Sequence, residues 1–212
     1  MAVVATAGVV CSIAPAAAMG ESRVTVWNFN SIGPGATADV SKDCPSGAPY
    51  VVGVTAEGSG QGMEKEPDGD PIATTRVKIE AITLANYPAS SSIKFSNTTK
   101  GDENPVVKVS MKITLECSNV NPGKFPKKIT VLTVARTPQP PGDNRYGPRL
   151  TVRTYCPGGT RIDDGAWAEY DWNFAYLVNG SVAFTDRDVR SSFDGHGGKS
   201  TEIKQFAECL FN

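Results

Sequence analysis

The chain has 212 residues, of which 40% are hydrophobic and 20% charged, with 21 glycines and 15 prolines. Acidic and basic residues are interspersed and sum to a formal net charge of -1, so there is no electrostatic footprint for nucleic acid or anionic lipid. The length allows one large β domain or two small ones, and no segment is low-complexity enough to read as disordered.

In chain order, residues 1–18 come first, M-A-V-V-A-T-A-G-V-V-C-S-I-A-P-A-A-A. They are apolar and uncharged and end in Ala16, Ala17 and Ala18, the small-residue cleavage rule of a signal peptide, although no basic residue precedes the apolar run. The run is too short for a membrane anchor, which needs about 20 apolar residues. Gly8-Val9-Val10-Cys11 lacks the small residue that a lipoprotein box places directly before its cysteine. The expectation is an exported protein with no membrane span after cleavage. Of five cysteines, cleavage leaves Cys44, Cys117, Cys156 and Cys209. An even number in an exported chain reads as disulfides. A zinc site is disfavoured by the lack of any C-x-x-C pair and by the single histidine.

The elements that follow are strands. Residues 24–29 (V-T-V-W-N-F) lead through a Gly/Pro loop to Cys44-Pro45-Ser46-Gly47 and an apolar run at 50–58. Residues 64–70 (E-K-E-P-D-G-D) read as a solvated charged loop, without the ligand spacing of a dedicated calcium site. Further strands are expected at 76–85 and 93–96. At 107–117, Val107, Val109, Met111, Ile113 and Leu115 alternate strictly with polar residues, which places Cys117 on the buried face. The second half opens with 129–136, crosses P-Q-P-P-G-D-N, and continues with Leu150, Val152, Thr154 and Cys156 in alternation. Residues 162–170 and 175–185 read as strands. Ile203, Phe206, Ala207 and Leu210 also fit helical spacing with Ser200 as a cap; likeness to 111–117 decides for a strand.

That likeness belongs to an internal repeat. Each half runs from an opening strand through a loop to C-P-x-G, Cys44 to Gly47 and Cys156 to Gly159, and closes on Glu-Cys, Glu116-Cys117 and Glu208-Cys209. Four cysteines allow three connectivities; the repeat selects Cys44 with Cys117 and Cys156 with Cys209. The expected fold is all-β, two tandem immunoglobulin-like β-sandwich units at 19–122 and 123–212, each with one internal disulfide.

This order of strand, C-P-x-G, apolar strand, variable loop and closing cysteine resembles secreted repeat proteins common in high-GC Gram-positive (actinobacterial) genomes. The resemblance covers both halves on a four-residue motif, and the second copy departs from it where Ile162-Asp163-Asp164-Gly165 replaces the apolar run. It implies a fold and carries over no catalytic residue.

Several residues invite a chemical reading. Asp194-Gly195-His196-Gly197-Gly198 is similar to the metal-binding signature of metal-dependent serine/threonine phosphatases. A hard metal there needs converging carboxylates at the end of an apolar strand; the preceding T-D-R-D-V-R-S-S is polar, and Asp143 and Asp164 come before the motif rather than after it. The Gly-Lys-Ser tail at 198–200 would need a glycine at Phe193 to be a phosphate loop. The expectation is a turn between two strands, with glycines at positive φ and His196 exposed. Asp163, Asp164, Glu169 and Asp171 are expected on both faces of a strand, and Trp27, Trp167 and Trp172 in the core rather than on a carbohydrate-stacking surface. Asn97 and Asn179 head glycosylation triplets that count only in a eukaryotic host. No catalytic residue, cofactor or metal ligand is assigned. The expected role is a non-catalytic binding or structural component outside the cell, with an extracellular protein or a glycan as partner. A secreted hydrolase using Asp194 and His196, or a protease or toxin inhibitor presenting residues 138–148, are the alternatives.

Overall fold

The computed structural model describes residues 22–65, 71–84, 90–97, 108–124, 126–140, 146–178 and 183–212. The expected signal peptide with Cys11 lies outside them, as do Asp143 and Asn179. Fifteen strands and no helix are found among the described residues.

Strands β1 (Ser22–Ile32), β3 (Tyr50–Ser59) and β8 (Val109–Ser118) form three neighbours of a six-stranded sheet, and β9 (Lys128–Arg136), β11 (Thr160–Tyr170) and β15 (Glu202–Phe211) form the other three, in the order β1-β8-β3-β9-β15-β11. Within each triplet every pairing is antiparallel. The triplets meet where β3 and β9 pair in parallel. The closing strand sits in the middle of its triplet both times. Cys117 faces Arg23 and Val51, and Cys209 faces Ile129 and Ile162.

A second layer lies across the first. In it, β4 (Gln61–Lys65), β5 (Pro71–Thr75), β10 (Arg149–Tyr155), β14 (Asp188–Gly195) and β12 (Ala175–Leu177) form one sheet, with the two-residue β13 (Ala183–Phe184) also on β14. A smaller sheet holds β2 (Thr37–Asp43), β7 (Ser90–Asn97) and β6 (Val77–Thr83). One isolated bridge links Ala81 of β6 to Gly158 in the turn that follows β10. The result is a β-sandwich-like, all-β fold in which sheets cross the boundary at residue 122.

The sequence pattern explains the core. On β8, Val109, Met111, Ile113, Leu115 and Cys117 are all buried, as the period of two requires. They pack with Val54 and Ala56 of β3, Val77, Ile79 and Ile82 of β6, and Ile129 and Val131 of β9. Gly58 permits the close approach of the two layers: a Cβ there would stand 2.7 Å from a Val77 methyl. A second cluster joins Ala135 and Ile203 of the large sheet to Leu150, Val152, Ala175 and Phe193 of the other.

The segment at 203–209 is a strand. Ile203, Gln205, Ala207 and Cys209 are buried while Lys204, Phe206 and Glu208 turn to the other face. Gln205 is a polar side chain inside the sandwich, and it is fully engaged. Its Nε2 donates to Val189 O at 2.8 Å and to Thr154 Oγ1 at 3.1 Å, and its Oε1 accepts from Ser191 Oγ. Buried amides persist only when partnered in this way, and these bonds tie β10, β14 and β15 together.

Both disulfides are present, Cys44–Cys117 with Cα atoms 5.8 Å apart and Cys156–Cys209 at 5.5 Å. Each C-P-x-G segment makes a similar turn before its strand. Ala48 N donates to Pro45 O at 2.9 Å, and Thr160 N to Pro157 O at 3.1 Å.

One feature of the first half reaches into the second. The β4–β5 hairpin leaves the end of β3, is closed at its base by Arg76 N donating to Gly60 O at 2.9 Å, and lays β5 parallel to β10. Side chains complete the junction as if they were backbone. The Gln61 amide donates to Arg136 O at 2.8 Å and accepts from Arg136 N at 2.7 Å. Thr75 Oγ1 accepts from Arg153 N at 2.8 Å. Glu64, read from sequence as part of a solvated loop, pairs with the buried Arg76.

Candidate ligand-binding face

The polar stretch before the glycine-rich turn does not stop a strand from forming. In β14, Val189, Ser191, Phe193 and Gly195 alternate inward, and the one hydroxyl among them is satisfied by Gln205. Asp194 is thereby turned to the outer face. Across the ladders, Tyr176 of β12 stands opposite Asp194, and Leu150 opposite Phe193 brings Arg149 alongside. Arg149 Nε donates to Asp194 Oδ1 at 3.1 Å and Tyr176 Oη donates to Oδ2 at 3.2 Å. The carboxylate is thus held by one cation and one phenol, with its side chain 15% exposed.

Rings surround this clamp. Tyr146 sets its edge against Tyr176, centroids 5.5 Å apart at 80°, and the His196 ring lies 6.0 Å from that of Tyr176. The turn between β11 and β12 is fixed by Asp171, whose Oδ1 accepts from Asn173 N at 2.9 Å while its carbonyl accepts from Phe174 N at 3.0 Å. An aspartate making such local bonds is a turn former. Trp172 sits in this turn and is 76% exposed. His196 N donates to Phe174 O at 2.9 Å. Its Nε2 lies 3.3 Å from Trp172 O; a carbonyl only accepts, so Nε2 bears the proton in this contact. Lys199 covers the Phe174 ring at 5.1 Å.

Several expectations are corrected here. Trp172 and Trp167 are not core residues, Trp167 being 38% exposed and stacked on Phe206 with centroids 4.9 Å apart. The physical reason is position: Trp167 is on the edge strand β11, on the same outer face as Phe206, and Trp172 is beyond that strand's end. Trp27 is in register with Ile113, and its expected place in the core falls outside what is described of its side chain. His196 is in the turn, with Gly197 and Gly198 at φ of 68° and 70°, but it is half-buried rather than exposed. Of the expected strand at 175–185, the described residues hold β12 and β13, and residues 179–182 lie outside them. Among the described residues, no three His, Cys, Asp or Glu side chains are grouped as metal ligands would be. Asp163 pairs with Lys128, and Asp171 is engaged in its own turn.

Burial, and next the negative charge of Asp194, push the Tyr176 phenol up to about 12. A raised acid favours the protonated form in the folded state, so the contribution is intact below pH 10 and lost as pH rises toward 12. Spectrophotometric titration at the tyrosinate band is expected to show a late step toward pH 12, and Tyr176→Phe should remove it. Loss in Tyr176→Phe of an early-ionising phenol, with the late step intact, would refute the raised phenol, and an unmoved late step in Asp194→Asn would refute the contribution of the Asp194 contact.

No match to this chain is found among protein-family models, curated proteins or solved structures. Elsewhere on the molecule, an apolar cleft of about 660 Å³ is lined by Ile82, Leu84, Pro126, Lys127, Leu210 and Phe211. It offers one cation and the half-buried Phe211 ring, whereas the Asp194 face unites a carboxylate, a guanidinium and Tyr176 on paired strands with the exposed rings of Tyr146 and Trp172 beside them.

Proposed function

We propose that this is an exported, non-catalytic binding protein built from two copies of one disulfide-tied, immunoglobulin-like module, of the kind found in the actinobacterial C-P-x-G repeat proteins, and that it engages its ligand at the ringed end of the second copy. One observation carries the reading: Trp172 and Tyr146 are 76% and 65% exposed at a place where Asp194 is already oriented by two donors. Exposed rings at rigid strand ends are characteristic of binding surfaces. Two internal disulfides fit an oxidising compartment outside the cytoplasm. The repeated strand order and the matching turns after Cys44 and Cys156 support duplication. The hydrolase alternative has less in its favour, because Asp194 is committed to Arg149 and Tyr176 and no contact joins it to His196.

Fractionation of the producing cell tests the reading. Protein beginning after Ala18 and protected from alkylation at Cys44, Cys117, Cys156 and Cys209 is expected in the extracellular fraction. Full-length protein with free thiols in the cytosol would refute it, as would metal-dependent phosphatase activity abolished by Asp194→Ala.

A further inference from the structure

Resting on that reading and deepening it, we infer that the ligand at the Asp194 face is a carbohydrate, bound with the C–H face of a sugar ring on Tyr146, Tyr176 or Trp172 and its hydroxyls on Asp194, Arg149 and His196. The first reason is the kind of apolar group exposed there. The large exposed apolar side chains of the face, Tyr146, Trp172 and Tyr176, are all rings with a polar edge, while the exposed aliphatic ones, Val52, Met63 and Val120, belong to other elements. A protein partner is held by a dry central patch in which aliphatic and aromatic side chains combine. A sugar instead presents a small apolar C–H face bordered by hydroxyls, which isolated rings flanked by polar groups complement.

The second reason is the acceptor. A carboxylate has about four lone-pair sites. Asp194 uses Oδ1 for Arg149 and Oδ2 for Tyr176, so each oxygen retains lone-pair capacity for a hydroxyl donor. Hydrogen bonds from ligand hydroxyls to a charged acceptor are the stronger kind, and the two protein donors hold the group in place before the ligand arrives. The third reason is rigidity. Asp194, Arg149 and Tyr176 stand on the paired strands β14, β10 and β12, and Trp172 in a turn locked by Asp171, so little order must be imposed on these groups on binding. Near-neutral net charge matches an uncharged polymer better than a polyanion.

The test uses the disulfide-intact protein from Met19 onward, with affinity electrophoresis and calorimetry against cellulose, chitin, xylan, mannan, β-1,3-glucan and peptidoglycan fragments. At least one is expected to bind. Tyr146→Ala and Trp172→Ala should each weaken that binding about tenfold, and Asp194→Asn should weaken it too. Trp167→Ala, altering an exposed ring on the large sheet, should bind as the parent does, and thermal unfolding confirms that each variant is folded. Absence of binding across the panel overturns the inference, and so does full binding by Tyr146→Ala and Trp172→Ala together. A photo-cross-linking residue at Ser192 separates the two levels. Adducts to a protein without glycan binding overturn the carbohydrate assignment and leave the binding reading standing; neither adducts nor glycan binding overturns both.

Discussion

Residues 123–212, expressed without the preceding chain, are expected to show no cooperative unfolding transition, and residues 19–122 alone are expected to behave likewise. The repeat in the sequence suggests two bodies, but the sheets disregard the boundary. Strand β9 has β3 as its neighbour over Thr55–Ser59 and Thr130–Val134, and β10 has β5. Removing the first half bares both edges, which is an invitation to mispairing. It also opens the larger core cluster, to which Val54 and Ala56 contribute from one half and Ile129, Val131 and Val189 from the other. Exposing a buried Val or Ile costs about 1.5–3 kcal/mol, so the loss at Ile129, Val131 and Val189 amounts to about 4.5–9 kcal/mol, comparable to the whole net stability of a domain, about 5–15 kcal/mol. Urea titration followed by tryptophan fluorescence, with amide dispersion by NMR, provides the check. A sharp single transition in either fragment would show that the shared sheets are dispensable.

Replacing Cys156 and Cys209 together by alanine is expected to cost about 4 kcal/mol, and replacing Cys44 and Cys117 slightly more. The bridges close loops with sequence separations of 53 and 73, and in the chain-entropy account loops of these lengths each restrict the unfolded chain by about 4 kcal/mol. Because the loops are separate, the two losses should nearly add. The urea midpoint should fall by about 1.5–2 M for one pair, and in the four-alanine variant the remaining stability should approach zero. A midpoint shift below a quarter of that, or peptide mapping that joins Cys44 to Cys156, would overturn the account.

Where one face is uniformly apolar, the strands were plain from sequence. Val109 to Cys117 alternates without exception and becomes the central strand β8; Leu150, Val152 and Thr154 do the same in β10. Repetition resolved the helix-or-strand ambiguity at Ile203 to Leu210, which spacing alone left open, because buried Gln205 interrupts the apolar series. The same glutamine hid β14. Its inward Ser191 is polar, and only a partner 14 residues further on makes that position tolerable inside the sandwich. The β4–β5 hairpin was concealed for a different reason. Its charges suggest solvent, yet Glu64 has a buried partner in Arg76 and Gln61 meets backbone groups 75 residues away. The ring cluster was the least legible part. Tyr146, Tyr176 and His196 are scattered through the second half, and only the pairing of β12 with β14 and the fold of the chain around Gly147 and Gly195 assemble them.

The hairpin at 61–75 imposes an order on synthesis. It leaves the ribosome or an export channel 75 to 78 residues ahead of the backbone it must bond, Arg136 and Arg153. At about 5–20 residues per second, it waits about 4–15 s with its docking site not yet made. Throughout that interval a neighbour's β10 that has not yet been joined by its own β5 offers it an equivalent seat. Crowded nascent chains can therefore exchange hairpins, and the species to look for in overexpressed material is a pair of molecules each wearing the other's arm.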